Sequence, residues 1–169
     1  MKHLVHDVPD FPKPGVVFKD ITPLLSNPAG FNHAVDLLVD RLSSSGAQEI
    51  LAIESRGFIF GAAAAAKMSM PLQLVRKPGK LPGHTVGQDY ALEYGTDRVE
   101  IHSNLTDRAI RYGIVDDLIA TGGTAAATVQ LALQHGAEIA CCAFVIELNF
   151  LRGREQLNGC RVESLLRYY

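Results

Sequence analysis

Residues 113–124 read Gly-Ile-Val-Asp-Asp-Leu-Ile-Ala-Thr-Gly-Gly-Thr, and few arrangements of a chain accommodate such a run. An apolar stretch ends in two adjacent carboxylates. Thr121-Gly122-Gly123-Thr124 then opens an alanine-rich helical segment. This is a strand, a turn and a helix, with the polar residues gathered at the turn. Free backbone N–H groups and the helix dipole favour an anion at such a point. The carboxylates can accept hydrogen bonds from sugar hydroxyls. Asp116, Asp117, Ala120, Thr121, Gly122, Gly123 and Thr124 together offer grips for a ribose and its 5-phosphate. The alternative is a plain connection capped by Thr, in which an acid pair beside an anion loop has no purpose. No Lys follows Gly123 as a Walker loop requires, and no Gly-x-Gly-x-x-Gly is present.

Length and charge narrow the setting. A chain of 169 residues suits one domain with a real core, and 47% apolar with 20% charged residues is ordinary for a globular protein. A net charge of −2 gives no bulk attraction to nucleic acid or an anionic membrane. No apolar run approaches membrane-spanning length, and the first residues lack the apolar core of a signal peptide. Cys141 and Cys142 lie adjacent in an apolar run, and with Cys160 they make an odd count of three. Buried thiols in a reducing compartment are expected, hence a cytoplasmic location.

Residues 1–26 carry several prolines and little periodicity, as expected of an extended cover with short strands. Asn27-Pro28 begins a helix, with Phe31, Val35, Leu38 and Leu42 as its apolar stripe and Ser43-Ser44-Ser45-Gly46 as its end. Ile50–Ile53 reads as a strand, Gly61–Met68 as an alanine-rich helix, and Leu72–Val75 as a further strand. Lys77–Asp89 holds two prolines and three glycines without an apolar period, which predicts a long exposed loop. Tyr90–Tyr94 and Val99–His102 alternate as a hairpin turning at Gly95-Thr96-Asp97. A strand is expected at Ala109–Val115, although Arg111 and Gly113 interrupt it. A helix then runs from about Gly123 to His135-Gly136. Ile139–Leu148 is a strand buried on both faces. A short helix near Arg152–Leu157 and a strand near Val162–Tyr168 close the chain.

Strands alternating with helices imply a parallel α/β sheet, whose ligands sit beyond the carboxyl ends of its strands. Glu54-Ser55-Arg56-Gly57 and Asp116–Thr124 are both strand-end turns into helices, so they should meet at one edge. Arg56 is a natural partner for a phosphate-type anion, because its guanidinium is always charged and binds phosphate oxygens bidentately. A surface arginine is the alternative. Arg76, Lys77 and Lys80 flank or occupy the long loop, and a basic Gly/Pro-hinged loop can close over a polyanion, although a solvated charged loop is the commoner meaning of such a run. Asp116 and Asp117, as neighbours on an extended segment, should diverge and not share a proton.

Residues 113–124 resemble the phosphoribosyl-pyrophosphate motif of the type I phosphoribosyltransferases. Further runs are similar to the adenine branch of that family: Phe11–Leu25, Glu54-Ser55-Arg56-Gly57-Phe58, Arg76–Pro82, Tyr90–Gly95 and Val145-Ile146-Glu147-Leu148. The resemblance covers nearly the whole chain. It implies a parallel sheet flanked by helices, with a small N-terminal hood at 1–26 and a flexible catalytic loop and following strand at 77–95, all within one domain, 1–169. It implies transfer of a phosphoribosyl group from phosphoribosyl pyrophosphate to adenine, giving AMP and pyrophosphate, with Mg²⁺ held mainly by the substrate's oxygens. Glu54, Ser55, Arg56, Arg76, Lys77 and Lys80 would then face pyrophosphate, with a cis bond between Glu54 and Ser55. Main-chain groups of Val17 and Lys19 would read the base, and Phe18 and Leu118 would cover its ring. Glu93 would handle the proton at the purine's imidazole edge, although a solvent-facing Glu fits the alternation equally. A homodimer without nucleic-acid or membrane partners is expected. Another purine base, or a non-catalytic sensor of phosphoribosyl pyrophosphate, stays open at this point. The chain departs from the family pattern at Arg111-Tyr112-Gly113, which makes that strand's register uncertain. Ala62–Ala66 also departs, and so small a run asks for a close packing partner.

Overall fold

A computed structural model describes residues 1–91, 95–103 and 110–169. It divides into two compact units, Met1–Leu37 and Leu38–Tyr169.

In the first unit, strands β1 (His6–Pro9) and β2 (Val17–Asp20) form an antiparallel ribbon in which Val8 pairs with Phe18. Gly15 turns the chain between them at φ +85°, with its N–H donating to Asp10 Oδ1 at 2.8 Å. Helix α1 (Thr22–Leu25) follows, then α2 (Pro28–Ser45), which runs on into the second unit. Asn27 caps α2 as its sequence predicts, its Oδ1 accepting from the Gly30 N–H at 2.8 Å.

The second unit is built on strands β3 (Glu49–Ile53), β4 (Leu72–Val75), β7 (Arg111–Ile119), β8 (Glu138–Leu148) and β9 (Val162–Tyr168). They form one parallel sheet in the order β4-β3-β7-β8-β9. Helices α3 (Gly57–Met68) and α4 (Gly123–Gln134) connect β3 to β4 and β7 to β8. Strands β5 (Thr85–Ala91) and β6 (Thr96–His102) form a separate antiparallel hairpin. The expected parallel sheet flanked by helices is therefore the observed one. Every residue of β3 is buried, and β8 is buried from Ala140 to Leu148, as continuous apolar runs require between two covered faces.

Both departures from the family pattern have a packing reason. Arg111 lies at the exposed start of β7, where its guanidinium donates to the Ser45 carbonyl at 3.0 Å and so caps the end of α2. Gly113 leaves room for Leu42. A Cβ there would stand 2.4 Å from Leu42 Cδ2, and the β7–β8 register shifts between Tyr112 and Gly113. Helix α3 meets the sheet through small residues. A Cβ on Gly61 would be 2.5 Å from Ala52 Cβ, and Ala64 and Ala65 are buried.

Several boundaries differ from the sequence reading. Strand β7 runs on to Ile119, so Asp116 and Asp117 belong to the strand and not to the turn after it. Thr96 and Asp97, expected in the hairpin turn, pair with Ala91 and Tyr90 as the start of β6. Helix α3 begins at Gly57, not Gly61, and its first residue must be glycine, since a Cβ there would stand 2.8 Å from the Val115 carbonyl of β7. Thr85–Asp89, expected as loop, belongs to β5. Only Val86, opposite Ile101, packs on the core from this stretch; Asp89 lies opposite Arg98 and accepts from its Nη1 at 2.9 Å, and Gly87 makes way for the same guanidinium.

Candidate active site

The sheet order reverses between β3 and β7. From β3 the chain crosses through α3 to one side, and from β7 through α4 to the other. The carboxyl ends of these two strands define a topological switch point, where open α/β sheets leave a crevice. Both sequence-predicted turns lie there. The Glu54–Ser55 peptide is cis. Arg56 occupies the cap position of α3, and its Nη2 lies 3.0 Å from Asp117 Oδ2.

Asp117 is a buried acid at the end of a buried strand. Among the described residues no donor aligns a hydrogen bond on its Oδ2, although Arg56 stands within ion-pair distance. Burial raises its carboxyl, opposed mainly by the Arg56 charge. Asp116 is raised further, by burial and then by the charge of Asp117. In so poorly solvated a site each of the two neighbouring carboxyls acts on the other. The Asp117 N–H also donates to Asp116 Oδ1 at 2.8 Å, which fixes the first carboxyl against its own strand.

Beyond β7 the chain encloses a cavity of about 110 Å³, lined by Asp116 and the run from Leu118 to Ala125. This gathers Leu118, Ala120, Thr121, Gly122, Gly123 and Thr124 around one space at the N-terminus of α4. Gly122 has φ +85° and precedes the helix. A Cβ there would be 2.3 Å from the Gly153 carbonyl oxygen, so the loop tolerates no side chain at that point.

A second cluster surrounds Glu54. Its Oε2 accepts from Arg76 Nε at 3.1 Å and from the Lys77 N–H at 2.8 Å. Burial raises this carboxyl, but the Lys77 N–H, the Arg76 hydrogen bond and the Arg76 and Lys80 charges hold it below the ordinary value. Arg76 also donates to the Lys80 carbonyl at 3.2 Å. Ser55 is exposed between the two clusters. Lys77 Nζ bonds to Asp97 and, at 2.7 Å, to Tyr90 OH. Tyr90 OH donates its single proton to Asp97 at 2.9 Å, so Thr124 Oγ1, 3.0 Å away, must donate to Tyr90. The chain Lys77–Tyr90–Thr124 thus joins the basic segment to the phosphate-type loop.

In the first unit Lys19 is buried and pairs with Asp7, while Val17 is exposed. Phe18 meets Phe11 edge-to-face at 5.1 Å, and the two line an open hollow with Val8 and Asp20. Glu93 lies outside the described residues. Tyr90, Asp97 and Gly153 escaped the sequence reading. Only Tyr90 carried a signal, as a polar-tipped aromatic beside a Gly-rich segment; the other two matter through contacts distant in sequence.

The Phosphoribosyl transferase domain family matches residues 21–158. An adenine phosphoribosyltransferase of Syntrophotalea carbinolica is 50% identical over 168 residues, which is 99% of this chain and 98% of that one. One of Prochlorococcus marinus is 51% identical over 169 residues, covering 99% and 98%. The solved adenine phosphoribosyltransferase of Thermoanaerobacter pseudethanolicus superposes with a TM-score of 0.95 at 43% identity, over 99% of this chain and 97% of that one. The Saccharomyces cerevisiae enzyme, solved with adenine and an imino-altritol bisphosphate, gives 0.92 at 39%, covering 97% and 95%.

Proposed function

The chain belongs to the adenine phosphoribosyltransferase family, and on that premise we propose that it transfers the 5-phosphoribosyl group from phosphoribosyl pyrophosphate to adenine, yielding AMP and pyrophosphate in purine salvage. The observation that carries this is the meeting of Arg56 and Asp117 at 3.0 Å on the switch point, beside the loop that opens α4.

The reaction breaks the bond from ribose C1 to pyrophosphate, which leaves with the electron pair, and forms a bond from C1 to a base nitrogen. Positive charge grows on the ribose and negative charge on the leaving group. Backbone N–H groups of Ala120–Thr124 hold the 5-phosphate, with Thr121 and Thr124 supplying hydroxyls. Asp116 and Asp117 accept from the ribose hydroxyls. Arg56, Ser55 and the backbone at Glu54 face the pyrophosphate, and Arg76, Lys77 and Lys80 close over it. Arg56 and Asp117 neutralise each other until phosphate oxygens and hydroxyls replace that contact. This exchange keeps a desolvated acid and base from standing alone. Adenine falls to the main-chain groups of Val17 and Lys19, with Phe18 and Leu118 on its faces. Glu93 takes the proton the base loses.

Among the described residues no three His, Cys, Asp or Glu side chains converge on one point. Asp116 and Asp117, assigned to the ribose hydroxyls, put hard oxygen donors beside the place where Mg²⁺ would be held mainly by the substrate's own oxygens. Bound that way, Mg²⁺ would neutralise charge on the pyrophosphate. A cytoplasmic homodimer of 169-residue domains completes the proposal. Free Cys141, Cys142 and Cys160 suit a reducing compartment. Exposed Ile59, Ala62 and Ala66 on α3 suit a surface that a second copy covers. No described helix is long and apolar enough to cross a membrane.

The test is nucleotide formation from phosphoribosyl pyrophosphate and Mg²⁺ with adenine, hypoxanthine, guanine or xanthine offered separately. Turnover confined to adenine is expected. Turnover of another purine would overturn the roles given to Val17–Lys19. Binding of phosphoribosyl pyrophosphate without turnover of any base would overturn the catalytic reading.

A further inference from the structure

We propose that Glu147 and Arg154 are positioning residues for the Ala120–Thr124 loop, acting through the backbone of Gly153. This rests on the reading that the loop holds the 5-phosphate. The loop's shape is set from outside. A Cβ on Gly122 would be 2.3 Å from the Gly153 carbonyl oxygen, and one on Gly153 would be 2.1 Å from the Ala120 carbonyl oxygen. Two stretches of backbone touch with no side chain between them, so a small displacement of residue 153 is passed directly to residues 120–122.

What holds residue 153 is its neighbour. Gly153 opens a short 3₁₀ turn, Gly153–Leu157, and Arg154 forks onto Glu147 with Nε at 2.9 Å from Oε1 and Nη2 at 2.7 Å from Oε2. Arg154 Nη1 also donates to the Val162 carbonyl at 2.7 Å, which ties the turn to β9. The Glu147 side chain is only 3% exposed and takes a second cation, Arg167 Nε, at 3.2 Å. Glu147 lies near the end of β8, in register with Ile119 at the end of β7, from which the loop departs. The far end of the turn is anchored by buried Leu157. A bidentate fork fixes direction as well as distance, which a hydrophobic anchor alone does not. The clamp therefore starts one strand from the loop and reaches it through a single residue.

The experiment titrates ribose 5-phosphate and, separately, pyrophosphate with Mg²⁺ into the intact protein, Arg154→Lys, Gly153→Ala and, as a control, Glu155→Gln on the exposed side of the same turn. Arg154→Lys keeps the charge against buried Glu147 but loses the fork; Gly153→Ala leaves the ion pair intact and shifts the backbone contact. Both should weaken ribose 5-phosphate by about ten- to a hundredfold and leave pyrophosphate unchanged. In turnover, KM for phosphoribosyl pyrophosphate should rise while KM for adenine stays constant. Glu155→Gln should behave as the parent protein. Unchanged ribose 5-phosphate affinity in both variants, or equal weakening of both probes, would overturn the proposal, since a general loss of structure does not distinguish them. If the parent protein itself failed to bind ribose 5-phosphate, the phosphate reading of the loop would fall first, and the clamp's role with it.

Discussion

Asp117 is buried 3.0 Å from Arg56, and its neighbour Asp116 is raised both by burial and by the charge beside it. A carboxyl raised in the folded state binds its proton more tightly folded than unfolded. Its stabilising contribution is present below its unfolded value, 3.8, and is lost as pH rises through the folded one. At neutral pH the pair therefore destabilises the protein. Asp116→Asn should raise Tm there, by about 2–4 °C for each kcal/mol relieved, and the gain over the parent should vanish as pH falls and Asp116 protonates. The same substitution should weaken phosphoribosyl pyrophosphate. Thermal scans across pH with a binding titration check both, and a gain that persists at acid pH would contradict the sign. Under the proposed role, stability would be given up for a grip on sugar hydroxyls. Glu54 behaves oppositely: its lowered carboxyl stabilises above its unfolded value of 4.5 and loses that effect on acidification.

Helix α3 and the β5–β6 hairpin hold the site from two sides by different means. α3 is set by close approach, with Gly61 against Ala52 and Gly57 against the Val115 carbonyl. Gly61→Ala must push the helix off β3, and should destabilise by about 1–3 kcal/mol with both Michaelis constants little altered. Denaturant titration alongside steady-state kinetics checks this; full stability would mean that the sheet yields at Ala52. The hairpin is set by hydrogen bonds, with Tyr90 joining Lys77, Asp97 and Thr124. Tyr90→Phe removes these, at about 0.5–1.5 kcal/mol for each. Amide exchange should quicken in β5 and β6 and leave β3 and β8 unchanged. The helix was visible in sequence as an alanine run, though not its first turn, where glycine is a poor helix former and is required by the close approach to β7. The first half of β5 was not visible, since Thr85–Asp89 carry a single apolar residue, Val86, and lack the apolar alternation that marks a half-buried strand.

At the scale of the whole molecule, binding of substrate should appear as stability. A ligand at about a hundred times its Kd adds about 2.7 kcal/mol when it binds only the folded chain. Phosphoribosyl pyrophosphate with Mg²⁺ should produce a shift of that size, and a chelator added beforehand should remove most of it. An undiminished shift in chelator would contradict the substrate-carried ion. The alternation of strand and helix, the position of the two strand-end turns and the Ala120–Thr124 loop could all be read from the chain, because each is encoded within a dozen neighbouring residues.

That local encoding is also its boundary. By itself the sequence determined a parallel α/β sheet, a phosphate-type loop at the head of α4, and a basic turn at the head of α3, since periodicity, capping and turn chemistry act between residues close along the chain. Only the tertiary structure decided that Arg56 meets Asp117, that Tyr90 bridges Lys77 to Thr124, and that Gly153, steadied by Glu147 and Arg154, presses on Gly122. The contacts Arg56–Asp117, Tyr90–Thr124 and Gly122–Gly153 join residues some 30 to 60 positions apart. Their geometry comes from the strand order β3-β7-β8-β9 and from how closely glycine lets one backbone approach another, neither of which is written in any single stretch of chain.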